Sequence, residues 1–327
     1  MQKIKAEKAL EQDAIFIDTR SPAEFSLDHL PNAINLPILD NKERKTVGTL
    51  YKKDPEKAIE LGYNYYGKKL DKIKDKIRKL PKKKIIVYCW RGGMRSETIT
   101  KLVEDLNHNA FQLEGGYKAY RKYMRDFFGR YKPKFKFIVL TGMAGCGKTD
   151  LIKKLKPSLD LEGLAQHRSS IFGAIGLKPR TQKAFETLLY VELKKLESAK
   201  LVFVEGESKK IGNVFIPANI FNAMEKGIIV KVNCSIKNRA KRIVRDYFTH
   251  DEDKKIKELI NQLRQHLTNK VVEELLILVD KKEYEKVSKV LLEDYYDLRY
   301  KIEDHKYEVN NDSVSKCVKE LEKLKNP

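Results

Sequence analysis

The chain has 327 residues, 41% of them hydrophobic, which is enough to bury a sizeable core and to form two domains. Its 67 lysine and arginine residues outnumber 46 aspartate and glutamate residues, and the formal charge of +21 favours a polyanionic partner such as nucleic acid, although solvated lysine-rich helix faces would explain it equally well. No apolar run approaches the roughly 20 residues of a membrane span, and no secretion signal is evident, so we expect a cytoplasmic protein. The four cysteines do not have the spacing of a disulfide framework or a zinc site, so we expect their thiols to be reduced.

The first part of the chain alternates short strands with amphipathic helices. Runs of β-branched residues predict strands at 14–18, 85–88 and 110–114. A basic, aromatic segment follows and leads to Pro133. We therefore expect an α/β domain over residues 1–130.

A second α/β domain is expected over residues 131–327. Its strands are predicted at 135–140, 201–205 and 228–234. Beyond about Ser235 the pattern is almost wholly helical, so this domain is expected to end in a helical C-terminal extension.

Cys89 lies at the end of the strand predicted at 85–88. The loop that follows it is rich in glycine and arginine and consists of Trp90, Arg91, Gly92, Gly93, Met94 and Arg95. A helix is predicted to begin near Ser96, so backbone N–H groups would converge on the thiol, lower its pKa and hold an anion. Gly92 and Gly93 are expected to adopt positive φ angles that curl the loop around the sulfur. An inert buried cysteine would explain the apolar strand but not these glycines and arginines.

Two chemistries use such a loop. The spacing Cys-x5-Arg from Cys89 to Arg95 fits cysteine-dependent phosphatases, whereas the order strand, cysteine, loop and helix also fits sulfurtransferases. Residues 16–37 resemble the N-terminal signature of rhodaneses and 113–120 resemble their ending, while Tyr88 replaces the histidine that usually precedes a phosphatase cysteine. The resemblance implies a rhodanese-like domain in which the thiolate carries, or at least binds, a sulfur or selenium atom.

A phosphate-binding loop follows the strand predicted at 135–140, because residues 142–149 satisfy G-x-x-x-x-G-K-[ST] and a helix comes next. The residues predicted to bind a diphosphate are Gly142, Gly145, Cys146, Gly147, Lys148 and Thr149. Backbone N–H groups would cradle the phosphates, Lys148 would neutralise their oxygens, and the Thr149 hydroxyl is placed to ligate Mg²⁺. No tightly bound cofactor is predicted, and Mg²⁺ is the one ion that the motif suggests.

Four further residues are candidates for the same site: His167, Arg168, Glu205 and Glu207. Glu205 ends a predicted strand at the place where P-loop ATPases have an aspartate that orients Mg²⁺ and water, and the departure argues against nucleotide hydrolysis. A surface acid after a buried strand is the plainer interpretation. Arg168 could reach a diphosphate or an RNA phosphate, and a structural arginine beside a helix cap fits the sequence nearly as well.

The basic segment at 117–132 interleaves tyrosine and phenylalanine with lysine and arginine. Grooves that bind single-stranded nucleic acid combine these residue types, since bases stack on the aromatic rings. An amphipathic helix packed between the two domains would show the same pattern. Both interpretations remain open at this point.

A rhodanese-like domain joined to a P-loop domain resembles the tRNA 2-selenouridine synthases of bacteria and archaea. The likeness runs to about residue 240 and rests on 47–63, 88–96, the phosphate loop, 160–173 and 204–217. In 160–173, Ser169 stands where the family usually has glycine.

The resemblance implies chemistry on 2-thiouridine at the wobble position of certain tRNAs. The family prenylates this sulfur with geranyl diphosphate and then replaces the S-prenyl group with selenium from selenophosphate. The phosphate loop would then hold the diphosphate of the prenyl donor. The Cys89 loop would receive selenophosphate, with Arg91 and Arg95 pairing its oxygens and Trp90 packing on the base or the prenyl chain.

Two other functions fit parts of the sequence. A P-loop kinase or regulatory NTPase with a rhodanese-like module would turn over ATP without tRNA, and a cysteine phosphatase would hydrolyse aryl phosphates through Cys89. The sequence does not specify the tRNA isoacceptors, the prenyl chain or the oligomeric state.

Overall fold

The computed structural model describes residues 1–299 and 304–325, and the chain divides into two compact units. One unit comprises residues 1–130 together with 186–191, and the other comprises 131–185 and 192–327. No helix among the described residues is long and apolar enough to cross a membrane.

The first unit is a parallel β-sheet with helices between its strands. Its elements in chain order are β1 (Gln2–Ile4), α1 (Ala6–Leu10), β2 (Ala14–Asp18), α2 (Pro22–Leu27), β3 (Ile34–Asn35), α3 (Asn41–Leu50), α4 (Pro55–Gly67), α5 (Leu70–Arg78), β4 (Lys84–Tyr88), α6 (Met94–Asp105), β5 (Ala110–Leu113) and α7 (Gly116–Arg130). The strand order is β1-β5-β4-β2-β3, and every neighbouring pair is parallel.

The sequence explains the centre of this sheet. In β4, Ile85, Ile86 and Val87 are fully buried, as expected for a parallel strand covered by helices on both faces. The register pairs Asp18 of β2 with Tyr88 of β4, so both strands end at the same edge of the sheet. In open parallel sheets, ligands bind at this carboxyl edge.

The second unit repeats the parallel plan. Its elements are β6 (Lys136–Thr141), α8 (Lys148–Lys154), β7 (Ser158–Leu159), α9 (Leu161–Ala165), α10 (Gln182–Lys195), β8 (Leu201–Glu205), β9 (Lys210–Ile211), β10 (Val214–Phe215), α11 (Ala218–Glu225), β11 (Ile228–Asn233), α12 (Ile236–Tyr247), α13 (Asp253–Gln262), α14 (Asn269–Asp280), α15 (Tyr284–Val290), β12 (Tyr307–Asn310) and α16 (Val314–Lys323), with short 3-10 or π-helical turns at Leu263–Gln265, Leu291–Tyr296 and Asp297–Arg299. The strand order is β12-β11-β6-β8-β7, all parallel, beside a β9-β10 hairpin.

Two apolar clusters stabilise the second unit. One lies around the sheet and includes Ile138, Leu140 and Phe203, all fully buried. The other joins the C-terminal helices and includes Ile260, Leu275 and other buried residues. The predicted helical C-terminal region is therefore confirmed, and its helices have a core of their own.

The fold prediction was incomplete at the sheet edges. The structure adds the short strands β1, β3, β7 and β12, of which β12 interrupts the region that was predicted to be almost wholly helical. Only Val309 in β12 is buried, so a four-residue edge strand offers no alternating pattern that sequence inspection could detect.

Candidate functional site

Cys89 directly follows β4 at the carboxyl edge of the first sheet, and its side chain is 4% exposed. The backbone N–H of Gly93 and the hydroxyl of Ser96 each donate a hydrogen bond to its sulfur at 3.3 Å. The helix predicted to begin near Ser96 is α6, and it starts two residues earlier, at Met94. The thiol is therefore held among donors, as an anionic sulfur requires.

The electrostatics of Cys89 favour the thiolate. Burial by itself raises the pKa of this thiol, but the hydrogen bond from Ser96, the charge of Arg95 and nearby backbone N–H groups outweigh it, so the pKa is lowered. A thiol with a lowered pKa is the reactive form of cysteine, whereas a buried structural cysteine normally shifts in the opposite direction.

The loop after Cys89 is held by the segment at the end of the domain. The N–H of Tyr117 donates to the Cys89 carbonyl at 2.8 Å, and that of Lys118 donates to the Trp90 carbonyl at 3.0 Å. A Cβ on Gly116 would lie 2.4 Å from the Cys89 carbonyl oxygen, so only glycine fits this contact. Residues that resemble a rhodanese ending thus support the cysteine loop directly.

The two glycines of the cysteine loop differ in backbone conformation. Gly92 has φ 69°, as predicted, and a Cβ there would approach the Leu113 carbonyl oxygen at 2.9 Å. Gly93 has φ −99°, and a Cβ on it would meet open space, so the predicted positive φ is wrong at this position. Gly93 instead is the residue before α6, where its N–H faces the sulfur.

Arg95 is the better placed of the two loop arginines. Its guanidinium contacts the Glu24 carboxylate at 3.4 Å, and the same carboxylate pairs with Arg44 at 3.7 Å. Glu24 also accepts a bond from the N–H of Ser21 and so belongs to the N-terminal cap of α2. Arg91 is exposed, and both arginines line the cavity that contains Cys89.

Two supporting residues were not found by sequence inspection. The side-chain amide of Gln112 donates to the Gly92 carbonyl at 3.0 Å and to the Ser96 hydroxyl at 2.9 Å. Ser96 in turn bonds the sulfur of Cys89. A glutamine in a strand carries no motif, so only its place beside the loop identifies it.

The second candidate site is the phosphate loop between β6 and α8. Gly142, Gly145 and Gly147 have φ angles of 151°, 75° and 89°, which are strained for any other residue. Lys148 donates from Nζ to the Gly142 carbonyl at 3.0 Å and so folds back over the loop. Cys146, which was predicted to bind a diphosphate as part of this loop, is 1% exposed, and its side chain packs in the core around the sheet.

Residues far along the chain brace the phosphate loop. Arg239 donates from Nε to the Ala144 carbonyl at 2.8 Å, and Asn311 donates from Nδ2 to the Cys146 carbonyl at 2.8 Å. Arg242 contacts the carbonyls of Gly145 and Cys146 at 3.4 and 3.3 Å. These donors occupy loop carbonyls, and this is the arrangement that leaves backbone N–H groups to face an anion. Sequence inspection missed all three.

A cluster of carboxylates lies beside the phosphate loop. Thr149 donates from Oγ1 to Glu162 at 2.8 Å, and burial together with the charge of Glu207 raises the pKa of Glu162 to about 7. Glu205 is fully buried, its pKa is raised well above the usual range by burial and by neighbouring acids, and its Oε1 has no hydrogen-bond partner among the described residues. Burial also raises the pKa of Glu207, against the opposing effect of Lys148 and a bond from Ser169. Glu162, which was not predicted, completes this cluster, because α9 places it beside Thr149.

The predicted pair His167 and Arg168 lies in the loop after α9. A Cβ on Gly173 or Gly212 would come within 2.6 Å of the His167 ring, so the ring packs between two glycines, and its Nδ1 has no partner in the described part of the chain. Arg168 donates to the Ile175 carbonyl at 2.9 Å and lies over the Tyr247 ring, which is the structural role that the sequence left open.

A divalent cation fits this site only in a limited way. The described residues contain no group of three or more His, Cys, Asp or Glu side chains arranged to hold a metal ion. Mg²⁺ commonly takes one or two protein oxygens and completes its shell with substrate phosphates and water. The Thr149 hydroxyl and the Glu162 carboxylate would supply such oxygens once a diphosphate is bound, and a cation would relieve the repulsion among the acids.

Helix α7 contains most of the basic aromatic segment. Tyr117, Tyr120 and Phe128 are buried, so these rings do not offer a stacking surface. The exposed residues of the helix include Lys118, Lys122, Arg125 and Arg130. The helix therefore presents cations to solvent, which suits contacts with phosphates, while the rings of Tyr123 and Phe127 are half-buried.

Two family models match this chain, one in each structural unit. Residues 3–123 match the family model described as a rhodanese-like domain, and residues 135–275 match the model described as the tRNA 2-selenouridine synthase AAA domain.

Two similar proteins are named tRNA 2-selenouridine synthase. A protein of Nitrosomonas eutropha named tRNA 2-selenouridine synthase is 38% identical over 247 residues, which cover 72% of this chain and 63% of the relative. One of Pseudomonas syringae pv. syringae with that name is 35% identical over 241 residues, 72% of this chain and 66% of the relative. The match thus spans less than two thirds of these relatives' length. A crystal structure of an N-terminal domain from Clostridium difficile 630 is 45% identical, covers 37% of this chain and 98% of that chain, and has a TM-score of 0.36.

Proposed function

We propose that this chain is a tRNA 2-selenouridine synthase, and that it converts 2-thiouridine at the wobble position of tRNA to 2-selenouridine. The reaction uses geranyl diphosphate and selenophosphate, and S-geranyl-2-thiouridine is the intermediate. The observation that supports this most strongly is that each unit has a glycine-rich loop between a strand and a helix, and that one of these loops holds a thiol that accepts hydrogen bonds from Gly93 and Ser96 and has a lowered pKa.

The phosphate loop is the site of the prenyl donor in this proposal. The sulfur of 2-thiouridine attacks C1 of geranyl diphosphate, a C–S bond forms, the C1–O bond breaks, and diphosphate leaves with the electron pair while N3 of the base loses its proton. Lys148 and the loop N–H groups stabilise the charge that develops on the leaving diphosphate. No nucleotide hydrolysis is required.

The Cys89 loop handles the selenium donor. Selenium in selenophosphate is at the oxidation level of selenide, so a selenopersulfide on Cys89 would require an oxidant. Attack of the thiolate on phosphorus requires none: an S–P bond forms, the P–Se bond breaks, and selenide leaves with the electron pair. The spacing from Cys89 to Arg95, which also fits cysteine-dependent phosphatases, suits this step.

The remaining steps transfer selenium to the base and regenerate the thiol of Cys89. Selenide attacks C2 of S-geranyl-2-thiouridine, the Se–C2 bond forms, the C2–S bond breaks, and geranyl thiolate leaves with its electron pair. Water then hydrolyses the phosphocysteine to phosphate and restores the thiol. The Ser96 hydroxyl, which is 3.3 Å from the sulfur, stabilises the thiolate as it departs from phosphorus.

Binding of tRNA rests on positive charge. The chain carries a formal charge of +21, and the exposed cations of α7 offer phosphate contacts. Among the large rings of this helix, Tyr117, Tyr120 and Phe128 are buried, and Tyr123 and Phe127 are half-buried.

Reconstitution with the purified chain tests the proposal. With tRNA bearing 2-thiouridine, geranyl diphosphate alone should give S-geranyl-2-thiouridine, and both donors together should give 2-selenouridine, as measured by nucleoside mass spectrometry. Absence of both products, combined with ATP turnover that needs no tRNA, would instead support a P-loop kinase or NTPase.

A further inference from the structure

A cavity of about 610 Å³ in the first unit opens onto the cysteine loop. Its lining includes Cys89 and the arginines Arg91 and Arg95. The rest is built by α3, by α4 and by the start of α6, and its lining includes Val47, Tyr51, Ile59, Tyr63, Tyr66 and Met94. The cavity thus combines a reactive cysteine and basic side chains, which also include Arg44 and Lys52, with a mostly apolar wall.

The size of this cavity exceeds the needs of the selenium donor. Selenophosphate has five heavy atoms, and if each takes the roughly 30 Å³ of a water molecule, the anion fills about 150 Å³. The roughly 460 Å³ that remain correspond to about fifteen heavy atoms on the same scale, which leaves room for a chain of ten carbons. Cavities of this size typically bind organic ligands and not small inorganic anions alone.

Large exposed apolar side chains are concentrated here. Tyr51, Tyr63, Trp90 and Met94 are 50%, 52%, 38% and 45% exposed, and all four line this one cavity. Apolar side chains exposed together, and not singly, mark a binding surface. The segment 47–63, to which the sequence assigned no chemical role, forms much of this wall.

We propose that this chamber binds the prenyl chain of S-prenyl-2-thiouridine and holds the C2–S bond of the nucleoside at the cysteine loop during selenium transfer. The inference rests on the proposed function and adds a second prenyl site, distinct from the phosphate loop that holds the diphosphate of the donor. The mostly apolar lining fits a hydrocarbon chain, and the arginines of the cysteine loop fit the phosphate group of the selenium donor.

The chamber also sets the order of the reaction. A nucleoside without a prenyl chain gains no apolar contact and is not held beside Cys89, so prenylation precedes selenation. Each buried methylene contributes a factor of about 4 in affinity, and three methylene-sized groups therefore give about 60-fold. We expect an anticodon stem-loop RNA with S-geranyl-2-thiouridine to bind at least this much more tightly than one with S-methyl-2-thiouridine.

The test measures binding of these two RNAs, and their selenation, with the full chain and three variants. Tyr63→Glu places a charge in the chamber wall and should abolish the preference for the S-geranyl RNA, whereas Tyr63→Phe should retain it. Ile277→Glu is the matched control, because Ile277 is 52% exposed like Tyr63 but does not line the cavity. This control should behave as the wild type.

The outcomes separate the two proposals. Equal binding of both RNAs by the wild type, or an equal loss for both RNAs in Tyr63→Glu, would overturn the prenyl site, even if selenouridine forms. A geranyl preference that depends on Tyr63, without any formation of selenouridine, would leave the prenyl site standing and overturn the proposed function. Wild-type affinity of Tyr63→Glu for the S-methyl RNA, together with an unchanged melting temperature, would show in addition that the first unit of this variant is folded.

Discussion

Glu162 is the residue whose replacement tests the electrostatics of the phosphate-loop site most sharply. Its pKa is raised from 4.5 to about 7, first by burial and then by the charge of Glu207. Since one pKa unit corresponds to about 1.4 kcal/mol, ionised Glu162 lowers the free energy of unfolding of the ligand-free protein by about 3 kcal/mol. The folded state binds the proton more tightly than the unfolded state, so this cost is absent below pH 4.5 and is complete above pH 7.

We therefore expect Glu162→Gln to stabilise the ligand-free protein in a pH-dependent way. Glutamine keeps an acceptor for the Thr149 hydroxyl but carries no charge. The melting temperature of the second unit should rise by about 6–12 °C at pH 8 and by almost nothing at pH 4.5. Calorimetry measures both, and the exposed substitution Glu225→Gln serves as the control. The same change at both pH values, or a lower melting temperature at pH 8, would refute this reasoning.

Three further predictions concern the reaction. Lys148→Ala should abolish geranyl transfer at low donor concentration, because the diphosphate loses its main charge partner, and normal transfer in a donor titration would contradict this. The Cys89→Ser variant should accumulate S-geranyl-2-thiouridine and form little 2-selenouridine. Selenophosphate that carries a label in its phosphorus atom should label the wild-type protein at Cys89. If only a label in the selenium atom is transferred to the protein, Cys89 carries selenium instead. Affinity for tRNA should fall steeply with salt, and the double variant Lys122→Ala/Arg125→Ala should reduce the slope of log K against log salt by about 1.4; an unchanged slope would exclude this helix from the RNA contacts.

The strands at the centre of both sheets could be predicted because they are buried on both faces. β2 and β8 have the bounds that their β-branched runs indicate, 14–18 and 201–205. The strands at the sheet edges have two to four residues and few buried side chains, so no period marks them. The helical end of the chain was predicted, but β12 within it depends on pairing with β11, which is distant in sequence.

The residues of the candidate sites also fall into two groups, those that a local sequence motif identifies and those that no motif identifies. Motifs identified Cys89 and the phosphate loop because their spacing is local. Gln112, Glu162 and Asn311 act on these loops from other elements, and no local pattern marks them. Three rings of α7, those of Tyr117, Tyr120 and Phe128, pack inward although the sequence also allowed them to stack on bases, since composition alone does not reveal which side of a helix faces solvent.

Nucleoside analysis of tRNA from cells tests the central claim most directly. Cells that express this chain and are supplied with selenium should contain 2-selenouridine at the wobble position, and cells without the chain should retain 2-thiouridine there. Cells that express Cys89→Ser should show S-geranyl-2-thiouridine in place of the selenium nucleoside. Identical wobble nucleosides with and without the chain would contradict the account.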